Sequence, residues 1–193
     1  MSSPDQVYSF VMRGLLTEEA LDSAGRKSEL GMRVDEAELA KLVGLDALDE
    51  RRVADARAMS IVYTAIAAFE NSVRDFISKT LLEAVGDAWW QTAVSEKIRN
   101  MATTRMQEEE KVRWHTQRGA DPIQYTMLPN LLNIIRLNFP HFEPAIHDID
   151  WAASIFDPID RSRNVIMHSG TLSPRDIARV GSLINDWSRQ VGA

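Results

Sequence analysis

Apolar residues recur along this chain at steps of three and four, and no run alternates at steps of two. Over about 48–85, Met59, Val62, Ile66, Phe69, Val73 and Phe76 trace one stripe, which predicts a single long amphipathic helix ended at Gly86. Tyr63, Ala67, Glu70 and Arg74 lie on an adjacent stripe expected to face outward, with Asn71 beside them. Trp89-Trp90 opens the next element, expected to continue as one charged helix through Lys97 to Trp114. Residues 117–122 read as a loop. Residues 123–137 form another apolar helix, carrying Leu128, Leu131, Leu132, Ile134 and Ile135 and closed by Phe139-Pro140.

Residues 144–156 carry Ile146, Ile149, Trp151 and Ile155 at helical spacing. Asp157-Pro158-Ile159-Asp160 then has the form of a helix start, with Asp157 as N-cap and Pro158 at the first position. The same residues also fit a helix that continues with a kink at the proline. Either way the pattern ends at Gly170, a suitable left-handed terminator. Ser173-Pro174-Arg175-Asp176 starts the last helix, whose buried face is Ile177, Val180, Ile184 and Trp187.

Upstream, the pattern is broken into short helices and turns. A helix is expected over 5–16 on Val7, Phe10, Val11 and Leu15, and a second one starts at Thr17-Glu18-Glu19. A polar, glycine-punctuated loop follows over 25–31, then a helix over 36–42 and a break at Gly44-Leu45-Asp46. The expected fold is all-α, with residues 1–50 as a helical extension packed on a main helical domain over 51–193.

Composition narrows the function classes. The chain has 193 residues, 45% hydrophobic and 26% charged, which suits one folded domain with a sizeable core. It has no cysteine, which excludes a disulfide framework, thiolate catalysis and cysteine-based zinc sites, and fits a reducing compartment. Met1-Ser2-Ser3-Pro4-Asp5 lacks a basic run before an apolar core, and no stretch approaches the roughly 18 apolar residues of a membrane span. A soluble, cytoplasmic protein without membrane contact is expected. The net charge of −6 argues against a broad electrostatic grip on nucleic acid. A small basic cleft remains compatible with it, and Arg161 with Arg163 is its seed.

The chemistry concentrates in Arg161-Ser162-Arg163-Asn164-Val165-Ile166-Met167-His168-Ser169-Gly170. Arginine holds a phosphate through its planar fork, and histidine moves a proton near neutral pH. Those two groups suffice to cleave an RNA phosphodiester without metal or cofactor. At 100° per residue, Arg161, Asn164 and His168 share one stripe, while Arg163 points about 140° away from His168. Its long side chain could still swing toward the helix end, so the phosphate ligand is either Arg161 or Arg163. Plainer readings compete: a histidine at a helix end is often a cap, and Glu70 with Arg74 fits a surface i, i+4 ion pair. His115 beside Trp114 lacks partners at a recognised spacing, and His147-Asp148-x-Asp150 lacks the paired histidines of zinc hydrolases. No phosphate-cradling glycine motif or nucleophile elbow is present.

Arg163-Asn164-Val165-Ile166-Met167-His168 resembles the R-x4–6-H signature of the HEPN superfamily, with asparagine after the arginine as is usual there. Ala68-Phe69-Glu70-Asn71-Ser72-Val73-Arg74-Asp75-Phe76-Ile77 resembles the long helix of the Swt-type HEPN branch, including its E-N-x-x-R pattern. Trp89-Trp90, the helix from Tyr125 to Ile135 and the Asp157-Pro158 turn follow in that branch's order, so the likeness covers roughly 55–188. The resemblance implies a HEPN-like helical bundle that pairs as a homodimer, with the two signature helices facing each other. It implies a metal-independent endoribonuclease of the kind found in toxin–antitoxin and phage-defence systems, with an RNA substrate and an antitoxin or sensor protein as partner. Carried over, His168 is the general base or acid, Arg163 binds the scissile phosphate, Asn164 orients the array and Glu70 positions a signature residue. Arg161, Arg74, Asn71 and Ser169 are the surrounding candidate substrate contacts. One subgroup carries a tyrosine two residues after the histidine, where a partner modifies it; here Gly170 stands there, so that mode does not carry over. Other members of the superfamily are non-catalytic dimerisation or partner-binding modules, which is the competing expectation.

Overall fold

The computed structural model describes residues 12–14, 16–17 and 35–192, and among them there are helices and turns but no strand. The loop expected over 25–31 lies outside the described residues, as do the helix start at 17–19 apart from Thr17 and the helix over 5–16 apart from 12–14 and 16. The chain divides into two units, 1–53 and 54–193.

In the first unit, α1 (Glu36–Leu42) follows Asp35, whose carboxylate accepts from the Ala37 N–H at 3.0 Å. Glu36 and Glu38 occupy its first turn and Lys41 its last, each complementing the helix dipole. Gly44, at φ 68°, then turns the chain into a short 3-10 helix (Leu45–Ala47), as the expected break requires.

The spine of the second unit is α2 (Glu50–Val85), whose first residues belong to the first unit. Its 36 residues make a rod about 54 Å long. Asp49 starts it by accepting from the Arg52 N–H at 3.0 Å, and Gly86, at φ 82°, ends it. Met59, Val62, Ile66, Phe69, Val73, Ile77 and Leu81 are buried along one side. The next helix is divided, contrary to expectation. Val94 takes an extended conformation that carries its side chain into the core, separating α3 (Trp89–Ala93) from α4 (Glu96–Glu110). The Asn138 amide donates to the Ala93 carbonyl at 2.9 Å and so satisfies the group that the break exposes. α4 stops at Glu110, short of Trp114.

The helix expected over 123–137 is also divided. A 3-10 turn (Pro122–Tyr125) is followed by extended Thr126 and Met127, and α5 (Leu128–Leu137) starts only there. Pro140 opens α6 (Phe139–Ile146), and Pro144 lies within it. His147, at φ 59°, turns the chain into α7 (Ile149–Met167), whose N-cap is Asp148. Asp157 is therefore no cap: α7 runs through Pro158, which leaves the carbonyl of exposed Ser154 without its helical donor. The last helix, α8 (Pro174–Val191), starts as expected, with the Ser173 hydroxyl accepting from the Asp176 N–H at 3.2 Å.

α5 packs on α7, and α7 on α8. The long helix meets them through aromatic side chains gathered on Trp187. Phe69 and Phe76 each lie 6.0 Å from that indole, Phe156 at 5.0 Å, and Trp151 stacks on it at 5.9 Å. This cluster fixes α2 against α7, and thereby the relation of the two sequence blocks that carry the candidate chemistry.

Candidate functional site

Glu70 is 6% exposed, so its place in an outward stripe must be corrected. The surface ion-pair reading of Glu70 and Arg74 falls with it. The stripe that buries Phe69 turns Glu70 toward α7, where the apolar packing leaves room for a carboxylate only because two arginines meet it. One oxygen accepts from Nη2 of Arg74, one turn further along α2. The other lies 3.4 Å from Nε of Arg163 on α7. The E-N-x-x-R and R-N-x-x-x-H blocks are thus joined through a single carboxylate. Burial of an unpaired carboxylate would cost several kcal/mol, on the order of 3–5, and the two guanidiniums offset it.

Arg74 is held through both terminal nitrogens. Its Nη1 donates to Oδ1 of Asn71 at 2.7 Å, and its Nη2 also donates to the Thr126 carbonyl at 2.9 Å. Thr126 is itself buried, its hydroxyl donating to the Ile123 carbonyl at 2.6 Å. The Arg74 side chain is 14% exposed, and its Nε is buried with no partner among the described residues. The structure therefore places Arg74 in a largely buried network with exposed Asn71 at its rim, and Arg74 ties the extended step before α5 to the long helix. The Arg163 side chain is 18% exposed, and it meets Glu70 through Nε.

Arg161, Asn164 and His168 are all exposed, whereas Arg163 is half-buried against Glu70. The Asn164 amide donates to Asp160 at 3.3 Å. Sequence reasoning missed Asp160 in this role, although its i, i+4 spacing to Asn164 was the available signal. It also missed Thr126, which acts through a backbone carbonyl and leaves no signal in residue type.

His168 caps α7, its N–H donating to the Asn164 carbonyl at 3.2 Å. The expected terminator needs correction: the left-handed residue is Ser169, at φ 61°, while Gly170 has no positive φ. The Ser169 N–H donates to the Ile166 carbonyl at 2.9 Å and the Gly170 N–H to the Val165 carbonyl at 2.8 Å, which closes the helix as a Schellman turn. Gly170 is required there for a different reason. A Cβ on it would stand 2.7 Å from Val165 Cγ1 and 2.9 Å from the Val165 carbonyl oxygen. The backbone therefore holds His168 at a fixed corner, and its ring makes no hydrogen bond or ion pair among the described residues.

Arg163 and His168 thus come from one helix, Glu70 and Arg74 from another, and Thr126 from the step between two more. Glu70, Arg74, Arg163 and the Thr126 carbonyl are brought together, whereas the His168 ring is not bonded into that network among the described residues. Among the described residues no three of histidine, aspartate and glutamate gather as a metal site, and no helix is long and apolar enough to cross a membrane. No protein-family profile, curated protein or solved structure matches this chain.

Proposed function

We propose that this protein is a metal-independent endoribonuclease of the HEPN type, acting as a homodimer with a composite arginine–histidine site, in a toxin or phage-defence role. The observation that carries the reading is the Glu70 carboxylate shared by Arg74 and Arg163. It unites two sequence blocks that each resemble the superfamily on their own residues.

In this reading Arg163 holds a non-bridging oxygen of the scissile phosphate and stabilises its growing charge. His168 removes the proton of the 2′-hydroxyl as its oxygen bonds to phosphorus. The bond to the 5′-oxygen breaks, that oxygen takes up a proton from a second histidine, and a 2′,3′-cyclic phosphate and a 5′-hydroxyl result. Pairing of two α7 helices about a twofold axis supplies the second histidine and doubles the local positive charge on an acidic chain. An antitoxin or sensor protein would cover or release this face.

Cleavage of a structured RNA in EDTA, by the wild type and by His168→Ala, tests the reading. Cleavage by the wild type alone is expected. Equal cleavage by both proteins removes His168 from the chemistry and sinks the assignment.

A second reading, a non-catalytic module that dimerises or binds a partner, is favoured by one observation. Arg163 is already paired with Glu70, and the His168 ring contacts neither arginine. It expects no cleavage by either protein and an unchanged fold in His168→Ala.

A further inference from the structure

Outside the Glu70 network, the segment from Lys111 to Gly119 plays no part in the ribonuclease chemistry. It joins α4 to the 3-10 turn and carries Lys111, Arg113, His115 and Arg118 with no acidic residue, in a chain whose net charge is −6. At its centre Trp114 is 86% exposed, the most exposed large apolar side chain among the described residues. An indole left in water forgoes the burial that favours so large an apolar surface, and here it stands among cations. The ring stands edge-on to His115, with centroids 5.7 Å apart.

The cations of the segment divide into two kinds. Arg118 is spent: its Nε lies 2.7 Å from Glu109, and its guanidinium sits 5.4 Å over the Tyr125 ring. Arg105, on α4, is held in place by donating to the Tyr125 carbonyl at 2.7 Å. Lys111 and Arg113, both just before Trp114, are exposed and enter no ion pair among the described residues. Beside them opens a cavity of about 620 Å³ lined by Arg105, Glu108, Glu109, Val112, His115 and Arg118. That volume lies within the range of small-ligand sites, roughly 300–1,000 Å³. Glu109 is neutralised by Arg118, but the Glu108 carboxylate is not paired with any described residue.

We propose that this segment is a second contact for single-stranded RNA, outside the Glu70–Arg163 array. One base stacks on Trp114, and the flanking phosphates meet Lys111 and Arg113. The neighbouring base enters the cavity, where the Glu108 carboxylate accepts from an exocyclic amino group. A phosphate is repelled from that carboxylate, so the cavity takes a base and the rim takes the backbone. The preferred strand is therefore unpaired and rich in adenine, cytosine or guanine rather than uracil. A duplex, whose bases are already stacked and paired, offers neither contact. The choice of RNA over another strand rests on the ribonuclease reading, and the rest of the inference stands apart from it.

The test is fluorescence anisotropy with labelled ten-nucleotide oligo(A), oligo(C) and oligo(U) and a matched duplex, in EDTA, using His168→Ala protein so that no strand is cut. Trp114→Ala in that background is expected to weaken oligo(A) and oligo(C) binding about tenfold, the order of one base stack removed. Lys111→Gln with Arg113→Gln should flatten the dependence of log affinity on log salt by about 0.7 for each phosphate no longer neutralised. Glu108→Gln should reduce the preference over oligo(U). Unchanged binding in Trp114→Ala overturns the proposal, as does absence of binding by either protein. Binding to vesicles of anionic lipid without binding to RNA also overturns it and assigns the indole to a membrane surface. The two readings fail separately. If the wild type cuts no RNA but strands still bind through Trp114, only the ribonuclease reading falls. If the wild type cuts RNA while Trp114→Ala leaves both binding and KM unchanged, only this inference falls.

Discussion

Nε of Arg163 lies 3.4 Å from the carboxylate of Glu70, which Arg74 holds from the other side. The three groups form an asymmetric chain of charge, and removing different members has different consequences. Glu70→Gln leaves two largely buried guanidiniums facing a neutral amide. Arg163→Gln leaves the carboxylate with Arg74 still in place. Urea denaturation should therefore show Glu70→Gln losing about 3 kcal/mol and Arg163→Gln about 1 kcal/mol. Equal losses would mean that the pairing with Arg163 carries the whole effect and that with Arg74 adds nothing.

The end of α7 supports a paired prediction. Gly170→Ala forces a Cβ against a backbone oxygen and should cost about 1–3 kcal/mol. Ser169→Gly relieves a left-handed conformation and should gain up to about 1 kcal/mol. Thermal unfolding of the two variants should shift in opposite directions. If Gly170→Ala is neutral, the contact with Val165 is not close in solution.

The helices themselves were legible in the chain because a buried face repeats every three or four residues. The stripe from Met59 to Val73 and the buried Val180 and Trp187 follow from that period, and the N-cap at Ser173 from the serine-proline start. The breaks were less legible. Val94 ends a helical run through tertiary fit, and nothing in its residue type differs from a helix interior, whereas Met127 stands at a start that Pro129 marks. Pro158 misled in the other direction, since a proline after an aspartate has the same form at a helix start and inside a continuous helix. Within the candidate site, Glu70 stood next to the apolar stripe, where a carboxylate is ordinarily solvated. Its burial depends on Arg163, several helices away in sequence, so periodicity could not reveal it.

Trp187 tests the aromatic cluster. Trp187→Ala should cost about 3–5 kcal/mol, since four aromatic neighbours are left without their common partner. Trp187→Phe should cost less than half of that. It keeps most of the volume and removes an indole N–H that is buried without an acceptor among the described residues. A loss as large as that of alanine would show that the N–H is satisfied in solution.

Tyr125 sets a limit at alkaline pH. Burial raises its phenol above the ordinary value near 10, and the Glu109 carboxylate adds to the shift. A raised folded value favours the neutral phenol, so its contribution is complete below about pH 10 and is lost as pH climbs through the folded value. The phenol also donates to the Gly119 carbonyl at 3.1 Å, a bond that ionisation removes. Stability followed from about pH 9 to about 11.5, a span that brackets the ordinary phenol value, should fall more steeply in the wild type than in Tyr125→Phe. Parallel curves would show that the phenol titrates in solvent.

A lone ion pair is electrically closed, and a ligand that enters it must break it. Glu70 with its two arginines is not closed: one carboxylate answers two guanidiniums, and a single positive charge is left over. The remainder falls to Arg163, because Arg74 is also held by Asn71 and by the Thr126 carbonyl. The fold has therefore built in a standing electrical deficit at one place on α7. A monoanionic group balances it, a neutral molecule leaves it as it was, and a cation enlarges it.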